Sequence, residues 1–154
     1  MIKYDVIQKK DIREAARMFA EVYTTICRNE GSTETMKGIL DVFISPEKTD
    51  EEFFESIGKE IMFAAFDEEK IVGVILGIPG YINQLAVEPT HHKMGIAKTL
   101  MQMFADENIR RGIKEIEVKA SLYAEKFYEK QGFVKSEGIT DYKGLKCYPM
   151  RRSI

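Results

Sequence analysis

The sequence predicts a mixed α/β fold in which helices cover a β-sheet, and three observations lead to this class. Apolar residues at helical spacing dominate the chain before residue 60. Two apolar runs, 61–66 and 71–78, are then separated by the polar residues 67–70, which is typical of a β-hairpin with a four-residue loop. A third apolar run, 81–87, leads through a turn into another segment with helical periodicity.

Three positions mark boundaries among the elements before the hairpin. Asp11 is expected to cap the first helix, and Gly31 is expected to end it by taking the left-handed conformation. Pro46 then stops the second helix, because its ring and missing N–H are incompatible with a helix interior. The predicted elements are a strand over 2–8 and helices over 12–28, 33–44 and 49–58.

Three further positions divide the end of the chain. Ser121 is expected to begin a helix, and Gly132 is expected to close it. Pro149 lies inside the last apolar run, so that strand is expected to lie at an edge or to be locally broken. The predicted elements are strands over 113–120, from Phe133 onward and over 145–152, with a loop over 137–144.

The size and composition of the chain are those of one globular domain, which we expect to span residues 1–154. No apolar run approaches the roughly 20 residues of a membrane helix, and the first residues lack the apolar core of a signal peptide. We therefore expect a cytoplasmic protein with no membrane partner. Cys27 and Cys147 show neither metal-ligand spacing nor a disulfide framework, and we expect both to be unpaired packing residues.

Charge is unevenly divided along the chain, although its net value is only −2. Residues 1–90 hold 10 Lys and Arg against 17 Asp and Glu, whereas residues 91–154 hold 13 against 8. This division fits a polyphosphate ligand on the second part and a cationic acceptor near the first, although solvated faces that differ in charge are the commoner explanation. No basic run with interleaved aromatic residues favours a nucleic-acid partner.

The segment from Leu85 to Leu100 carries the clearest functional signal. A short strand ends before Pro89, which has no N–H to donate to a ladder. Gly95 then stands at the start of a helix, where the first N–H groups have no acceptor and the helix dipole favours an anion. Lys93 and Lys98 flank this helix end, so the segment is interpreted as a cradle for a pyrophosphate group.

The same segment resembles motif A of the GNAT acetyltransferase superfamily, whose pyrophosphate loop reads Gln/Arg-x-x-Gly-x-Gly/Ala. Here the pattern is His92-Lys93-Met94-Gly95-Ile96-Ala97, preceded by a family-like Leu-x-Val-x-Pro at residues 85–89. His92 replaces the usual Gln or Arg, and Lys93 stands where Gly is common. Neither replacement removes a backbone N–H group, so the cradle is expected to be kept.

A second segment resembles motif B of the superfamily. It reads Ser121-x-x-Ala124-x-x-Phe127-Tyr128, with Gly-Phe four residues later, and the final Gly-x-x-x-x-Pro-Met at residues 144–150 is similar to the ending of many small members. The two motifs together cover residues 81–152 in the family's order. On these motifs the chain is identified as a member of the superfamily.

The resemblance implies a fold and a reaction. The fold is a central mixed, mostly antiparallel sheet of about six or seven strands, splayed at the fourth and fifth strands and flanked by about four helices, with a bulge in strand 81–87. The reaction is direct transfer of an acetyl group from acetyl-CoA to a primary amine of a small molecule or a protein, without a metal. Relatives are often dimers, so a homodimer is also implied.

The resemblance also implies roles for particular residues. Tyr128 corresponds to the tyrosine that protonates the leaving thiolate, although an aromatic residue packed beside Phe127 is the alternative. Ser121 lies where many relatives have a cofactor-contacting Asn, although a plain helix N-cap is an equal alternative. Backbone groups of residues 85–87 would hold the pantetheine and polarise the thioester carbonyl. The cofactor-binding residues expected are Leu85, Ala86, Val87, His92, Lys93, Met94, Gly95, Ile96, Ala97, Lys98, Ser121, Ala124 and Tyr128.

The general base and the acceptor are left open by the sequence. Glu88, Glu117 and Glu30 are candidates for the base, and a water relay through Asn83 or Tyr81 is an equal alternative. Because no base is obvious, a non-catalytic module that binds or senses acyl-CoA is the alternative function.

The sequence indicates less specific roles for other side chains near the motifs. His91 and His92 are adjacent, so only His92 is expected near the phosphates, with His91 at the surface. No further ligands suggest a metal site. Four aromatic residues are candidates for lining an acceptor pocket, although such positions are more often core: Tyr23, Phe53, Phe54 and Tyr81.

Overall fold

The structure, a computed structural model that describes residues Met1–Ile154, contains eight strands and five α-helices. None of the helices is both long enough and apolar enough to cross a bilayer. The strands are β1 (Ile2–Val6), β2 (Ile61–Asp67), β3 (Lys70–Ile78), β4 (Tyr81–Val87), β5 (Glu115–Ser121), β6 (Val134–Lys135), β7 (Thr140–Tyr142) and β8 (Leu145–Ser153). The helices are α1 (Ile12–Ile26), α2 (Thr33–Phe43), α3 (Asp50–Ile57), α4 (Ile96–Arg110) and α5 (Glu125–Lys130).

All eight strands belong to one sheet, in the order β1-β2-β3-β4-β5-β8-β6, with β7 paired to β8. Every neighbouring pair is antiparallel except β4 and β5, which are parallel. The predicted mixed, mostly antiparallel fold class is therefore confirmed. The sheet has one strand more than the expected six or seven because β7, which lies inside a predicted loop, is only three residues long, too short for a periodic pattern.

The sheet opens between β4 and β5. The two strands pair through only two residues of β4, Tyr81 and Ile82. The next residue, Asn83, is skipped in the ladder between β3 and β4, so it forms a β-bulge. A bulge bends its strand and increases the local twist, and β4 turns away from β5 beyond it. The expected splay and bulge are both present.

A buried asparagine on α4 stabilises the part of the sheet where β4 and β5 still pair. Asn108 is fully buried, and its Oδ1 accepts the backbone N–H of Gly80 at 2.7 Å. Its Nδ2 donates to the carbonyl of Phe104 at 2.8 Å. The carbonyl of Gly80 in turn accepts the N–H of Glu117 on β5, also at 2.8 Å. One buried side chain thus ties α4 to the turn at which β4 begins beside β5.

Two apolar clusters cover the two faces of the sheet. One contains the inner side of α4, including Leu100 and Phe104, and the other contains the inner sides of α1 and α3, including Ile12 and Phe53. Buried residues of β3 belong to both clusters, because this strand is covered on both faces. The α4 face and the α1 face of the sheet are named by these clusters below.

Two predictions about the first helix are wrong. Asp11 does not cap α1 with its side chain; its carboxylate accepts the N–H of Gln8 at 3.1 Å and closes a preceding 3₁₀ turn. Gly31 is not left-handed. Its backbone bridges to Leu145, and a Cβ at this position would lie 2.8 Å from the carbonyl oxygen of Gly144. Close approach to a distant strand, which no local pattern indicates, is what requires glycine there.

Two predicted loops are shorter than expected. Asp67 and Lys70 pair in the ladder between β2 and β3, so the hairpin turn contains only two residues rather than four. Residues 140–142, inside the loop predicted over 137–144, form β7 against the beginning of β8.

Pro149 lies at a local break in pairing, as predicted, but on one side of its strand only: β8 pairs with β7 up to Cys147 and with β6 from Met150, whereas its pairing with β5 is continuous. Its strand, β8, pairs with β5 on one side and with β6 on the other. The Pro149 carbonyl accepts the N–H of Ser136, which follows β6, at 2.9 Å. Because the nitrogen and carbonyl of one residue point to the same side of a strand, the missing N–H also faces β6, which ends at Lys135. The ladder with β5 therefore loses no hydrogen bond.

Two glycines provide a matched test of this packing. A Cβ at Gly77 would lie 2.3 Å from the carbonyl oxygen of Tyr81 and 2.7 Å from the ring of Phe104. We expect Gly77→Ala to lower the free energy of unfolding by about 1–3 kcal/mol. A Cβ at Gly38, inside α2, would meet nothing within 4 Å. We expect Gly38→Ala to raise the same free energy by about 0.5–1 kcal/mol, because alanine is the better helix former.

Urea titrations of the three proteins measure both changes. If Gly77→Ala unfolded at the same urea concentration as the parent chain, the close approach of Gly77 to Tyr81 and Phe104 would be contradicted.

Candidate active site

A cavity of about 560 Å³ opens where β4 and β5 part. Its wall is mostly apolar, and the polar groups converge from the loop before α4 and from the two strands. Residues of α1, β4, β5 and α5 and of the loop before α4 line it: Phe19, Val22, Tyr23, Ile26, Cys27, Ile82, Asn83, Gln84, Leu85, Ala86, Val87, His91, His92, Lys93, Gly95, Ile96, Ala97, Lys98, Val118, Lys119, Ser121, Tyr123, Ala124, Phe127, Tyr128 and Gln131.

The edge of β4 that faces this cavity has no strand paired to it. Pairing with β5 ends at Ile82, so β5 satisfies no backbone group of β4 from Asn83 onward. The carbonyl of Val87 accepts a hydrogen bond from His92 Nε2 at 2.8 Å. An unpaired strand edge offers backbone donors and acceptors to an extended ligand.

The loop before α4 has the backbone geometry of an anion cradle. Lys93 and Gly95 are both left-handed, with φ of 65° and 78°, and alternation of left- and right-handed residues makes successive N–H groups converge. No side chain caps α4. The N–H groups of Ile96, Ala97 and Lys98 therefore have no acceptor within the helix. A Cβ at Gly95 would meet nothing within 4 Å, so the space before this helix end is open.

The two histidines of the loop are both held by hydrogen bonds. His91 Nε2 lies 2.8 Å from a carboxylate oxygen of Asp67, and its Nδ1 lies 2.9 Å from Thr90 Oγ1. The bond to His91 holds the pKa of Asp67 below its usual value. His91 is half-buried and lines the cavity together with His92. The expectation of His91 at the surface, with only one of the pair at the site, is therefore wrong.

Tyr128 lies at the inner end of the cavity. Only 4% of its surface is exposed, and its ring packs edge-on against Phe127 and Phe133, with centroids 5.3 Å and 5.2 Å away. Burial raises the pKa of its phenol above the ordinary value, with a smaller contribution from Tyr81. The hydroxyl therefore keeps its proton at neutral pH.

The turn between β5 and α5 is held by Ser121 and Glu30. Ser121 Oγ accepts the N–H of Ala124 at 3.2 Å, so it caps this turn, and α5 begins only after Ala124 rather than at Ser121. The buried carboxylate of Glu30 accepts the N–H groups of Leu122 and Tyr123 at 2.7 Å and 3.0 Å. Glu30 is therefore an anchor for the turn and is not available as a base.

The other two carboxylates considered as bases do not line the cavity. Glu88 forms an ion pair with Lys70, with 3.1 Å between Oε2 and Nζ, and Glu117 is exposed on β5. In fact no Asp or Glu lines the cavity. No three His, Cys, Asp or Glu side chains are grouped as metal ligands. Asn83, one of the two residues considered for a water relay, lines the cavity, and Tyr81, the other, does not.

Two further ionisable groups line the wall formed by α1. Burial, with a smaller contribution from the charge of Glu30, raises the pKa of the Cys27 thiol to about 12. Burial also raises the pKa of Tyr23, with Cys27 and Glu30 adding to it. Both groups are therefore neutral at pH 7. Cys27 and Cys147 are free and buried, as expected for packing residues.

The structure brings together nearly all of the residues named from the motifs. Twelve of the thirteen line the cavity, and Met94, which is 57% exposed, does not. Of the aromatic candidates Tyr23 lines the cavity, whereas Phe53 is buried in the core beneath Arg13 and neither Phe54 nor Tyr81 reaches the wall.

Four polar residues of the wall are not among those predicted from the sequence: Gln84, Lys119, Tyr123 and Gln131. Gln84 is a polar residue within the apolar β4, and its side-chain Oε1 is buried without a hydrogen-bond partner. Lys119 belongs to the alternating polar face of β5. A polar residue inside an otherwise apolar strand is the signal that would have singled out Gln84.

Comparison with known proteins gives a consistent result. The model of the acetyltransferase (GNAT) domain matches residues 27–154. No curated protein sequence matches the chain. A GCN5-related N-acetyltransferase from Rhodopseudomonas palustris has a similar structure, with a TM-score of 0.80, 20% identity, and 99% of this chain and 95% of that chain covered.

Two archaeal proteins also share the fold. PaiA N-acetyltransferase from Thermoplasma acidophilum, solved in complex with coenzyme A, has a TM-score of 0.75 and 20% identity, with 100% of this chain and 99% of that chain covered. Ard1 from Thermoplasma volcanium has a TM-score of 0.70 and 21% identity, with 99% and 97% covered. At these identities the likeness concerns the fold.

Proposed function

Since the chain belongs to the GNAT family of N-acetyltransferases, we propose that it transfers an acetyl group from acetyl-CoA directly to a primary amine of a small molecule or a protein. The observation that carries this proposal is the single cavity that joins an anion cradle, an unpaired strand edge and a buried phenol. Residues 1–154 would act as one acetyltransferase domain.

The cavity has the features that coenzyme A requires. The converging N–H groups before α4 and the charges of Lys93 and Lys98 suit a pyrophosphate. The open edge of β4 suits the amide groups of an extended pantetheine, and the apolar wall suits its methylene and methyl groups. Acetyl-CoA supplies the acyl group as an activated thioester. Backbone N–H groups of residues 85–87 would stabilise the charge that develops on its carbonyl oxygen.

Direct transfer follows from the state of the nucleophiles in the wall. Cys27 is the one cysteine of the lining, and its thiol stays protonated because its pKa is about 12. A protonated thiol is a poor nucleophile, so an acetyl-cysteine intermediate is not favoured. Instead, the amine nitrogen bonds to the carbonyl carbon while the carbon–sulfur bond breaks. The departing thiolate takes the proton of Tyr128, the amine releases its own proton to water, and the Tyr128 phenolate regains a proton from water before the next turnover.

The amine must reach the thioester in its neutral form. No carboxylate lines the cavity, and both ring nitrogens of His91 make hydrogen bonds to protein groups. His92 donates from Nε2 to the Val87 carbonyl, so its Nδ1 is the one imidazole nitrogen of the wall that has no protein partner. We assign no side chain as general base, and the catalytic contribution that we propose lies in alignment of the two reactants and in Tyr128.

One observation also favours the alternative of a non-catalytic acyl-CoA-binding module, namely the absence of a carboxylate base from the cavity. Such a module binds acetyl-CoA but releases no thiol with any amine. The presence of Tyr128 does not separate the two functions, because its ring packs against Phe127 and Phe133 in either case; turnover with an amine does.

Two isosteric substitutions at Gly95 test the anion cradle. Asn and Asp both tolerate the left-handed conformation, which residue 95 requires. We expect Gly95→Asp to bind coenzyme A roughly fivefold or more weakly than Gly95→Asn, because a carboxylate near the pyrophosphate is repelled by at least about 1 kcal/mol even in a high dielectric. Isothermal titration calorimetry gives both affinities, with unfolding midpoints as the control for folding. Equal affinities would show that the pyrophosphate does not bind beside residue 95.

Tyr128→Phe tests the proposed acid. The substitution removes only the hydroxyl, so packing against Phe127 and Phe133 is kept. We expect kcat to fall roughly 10²- to 10⁴-fold, the usual contribution of a positioned acid, while the Kd of coenzyme A is unchanged. Release of the coenzyme A thiol measures kcat. Unchanged turnover would exclude Tyr128 as the proton donor, and absence of turnover in the parent chain with every amine would favour the binding module.

The pH dependence tests whether the enzyme supplies a base. The raised pKa of Tyr128 keeps its proton in place between about pH 6 and 9. We therefore expect kcat/KM to rise tenfold per pH unit up to the pKa of the acceptor amine itself. A peptide α-amine should level off near pH 8, and a lysine-type amine should still rise at pH 9, because their pKa values are about 7.7–8.0 and 10.4. A shared apparent pKa for both acceptors would instead reveal an enzyme base.

A further inference from the structure

One charged residue of the cavity is not used by the proposed cofactor site. The charged side chains of the lining, apart from the histidines, are Lys93, Lys98 and Lys119. The first two flank the anion cradle. Lys119 lies on β5, outside that loop, and no other Lys, Arg, Asp or Glu lines this part of the wall.

Lys119 is held in place without being neutralised. Its Nζ lies 5.0 Å from the ring centroid of Tyr81 and 4.6 Å from that of Tyr142, and 3.4 Å from the Tyr81 hydroxyl. Aromatic faces attract an ammonium group and so fix its position. They carry no net charge, however, and Lys119 makes no ion pair with a carboxylate. Its positive charge is therefore free to bind an anion.

A second residue of the cavity, Gln84, has a side-chain acceptor without a hydrogen-bond donor. The Oε1 of Gln84 is buried and has no hydrogen-bond partner within the protein. A buried acceptor without a donor is unfavourable and rare in native proteins. Because Gln84 also lines the cavity, a donor group of a bound ligand would satisfy it.

Gln84 and Lys119 lie on the same face of the sheet, on the two strands that part. Ala86 packs in the cluster on the α1 face, and Gln84, two residues earlier in β4, points the same way. Val118 packs on the α4 face, so its neighbour Lys119 points to the α1 face. The unpaired acceptor and the cation therefore lie on the same face of the sheet, one on each of the two strands that border the opening.

We infer that the acceptor is a primary amine that also carries a carboxylate. The carbonyl of Gln84 accepts an N–H of the amine, and the ammonium of Lys119 binds the carboxylate. This inference rests on the proposed acetyl transfer. It replaces the sequence-based expectation of a cationic acceptor near the acidic half of the chain, because that half places no carboxylate in the cavity: Glu30 holds the turn and Glu88 pairs with Lys70.

Matched pairs of amines test the substrate class. Phenylalanine is compared with phenethylamine, lysine with cadaverine and a dipeptide with its C-terminal amide, with spermidine as a polycation, and thiol release from acetyl-CoA is measured. We expect kcat/KM to be at least tenfold higher for the carboxylate member. Equal rates, or preference for cadaverine or spermidine, would overturn the inference and leave the acetyl transfer standing. Absence of thiol release with every amine, while coenzyme A binds, would overturn the proposed function itself.

Variants of Lys119 test whether this side chain binds the carboxylate of the acceptor. In Lys119→Met the ratio of kcat/KM between the two members of a pair should fall to about one, chiefly through a higher KM for the carboxylate member. Lys119→Arg keeps the charge and should keep the ratio. Lys114→Met, which removes an exposed lysine outside the cavity, is the control for net charge. A ratio that Lys119→Met leaves unchanged would exclude this role.

Gln84→Met tests the other half of the inference. The substitution keeps the size of the side chain but removes its carbonyl. We expect kcat/KM to fall about tenfold for both members of a pair, because both carry the amine, while the Kd of coenzyme A is kept. An undiminished kcat/KM would show that Gln84 does not contact the acceptor.

Discussion

Two largely antiparallel parts of the sheet meet at one short parallel pairing, and the rest of the site depends on it. Parallel strands cannot be joined by a hairpin, and their connection normally contains a helix that crosses one face of the sheet. In this chain that helix is α4, which follows the carboxyl end of β4 and precedes β5. The helix N-terminus is therefore placed beside the opening between the strands. The anion cradle, the free edge of β4 and the cavity are all consequences of this one connection.

An opening at one end of a strand pair requires a firm junction at the other. Only two residues of β4 pair with β5, which is too little hydrogen bonding to hold the sheet together. The junction is completed by Asn108, which is buried at the end of α4 and makes hydrogen bonds to the turn before β4 and to its own helix. Gly77 lets the ring of Phe104 approach the same turn. The buried hydrogen bonds of Asn108 and the tight packing of Gly77 thus lie together beside the short pairing between β4 and β5.

The features that were predictable from the sequence are those determined by neighbouring residues. The strand, turn and helix around Gly95 follow from local periodicity and from helix-end chemistry, and the structure has them at the expected positions. The features that were not predictable depend on distant partners. Gly31 approaches β8, and the carboxylate of Glu30 binds N–H groups 92 and 93 residues away. A single sequence contains no signal for such contacts, so Gly31 was interpreted as a helix terminator and Glu30 as a candidate base.

The distribution of charge around the cavity explains why no base is found in it. The nearby carboxylates already have structural partners: Glu30 binds backbone amides, Asp67 binds His91 and Glu88 binds Lys70. Burial meanwhile raises the pKa values of Tyr128, Tyr23 and Cys27.

These three groups are therefore protonated at neutral pH, so Tyr128 still carries its proton when a thiolate departs, and none of the three can act as a base for an ammonium group. Under the proposed reaction, deprotonation is left to the acceptor and to water. Selection among amines would then depend on two properties of the acceptor: the intrinsic pKa of its amine, and its ability to satisfy the carbonyl of Gln84 and the charge of Lys119.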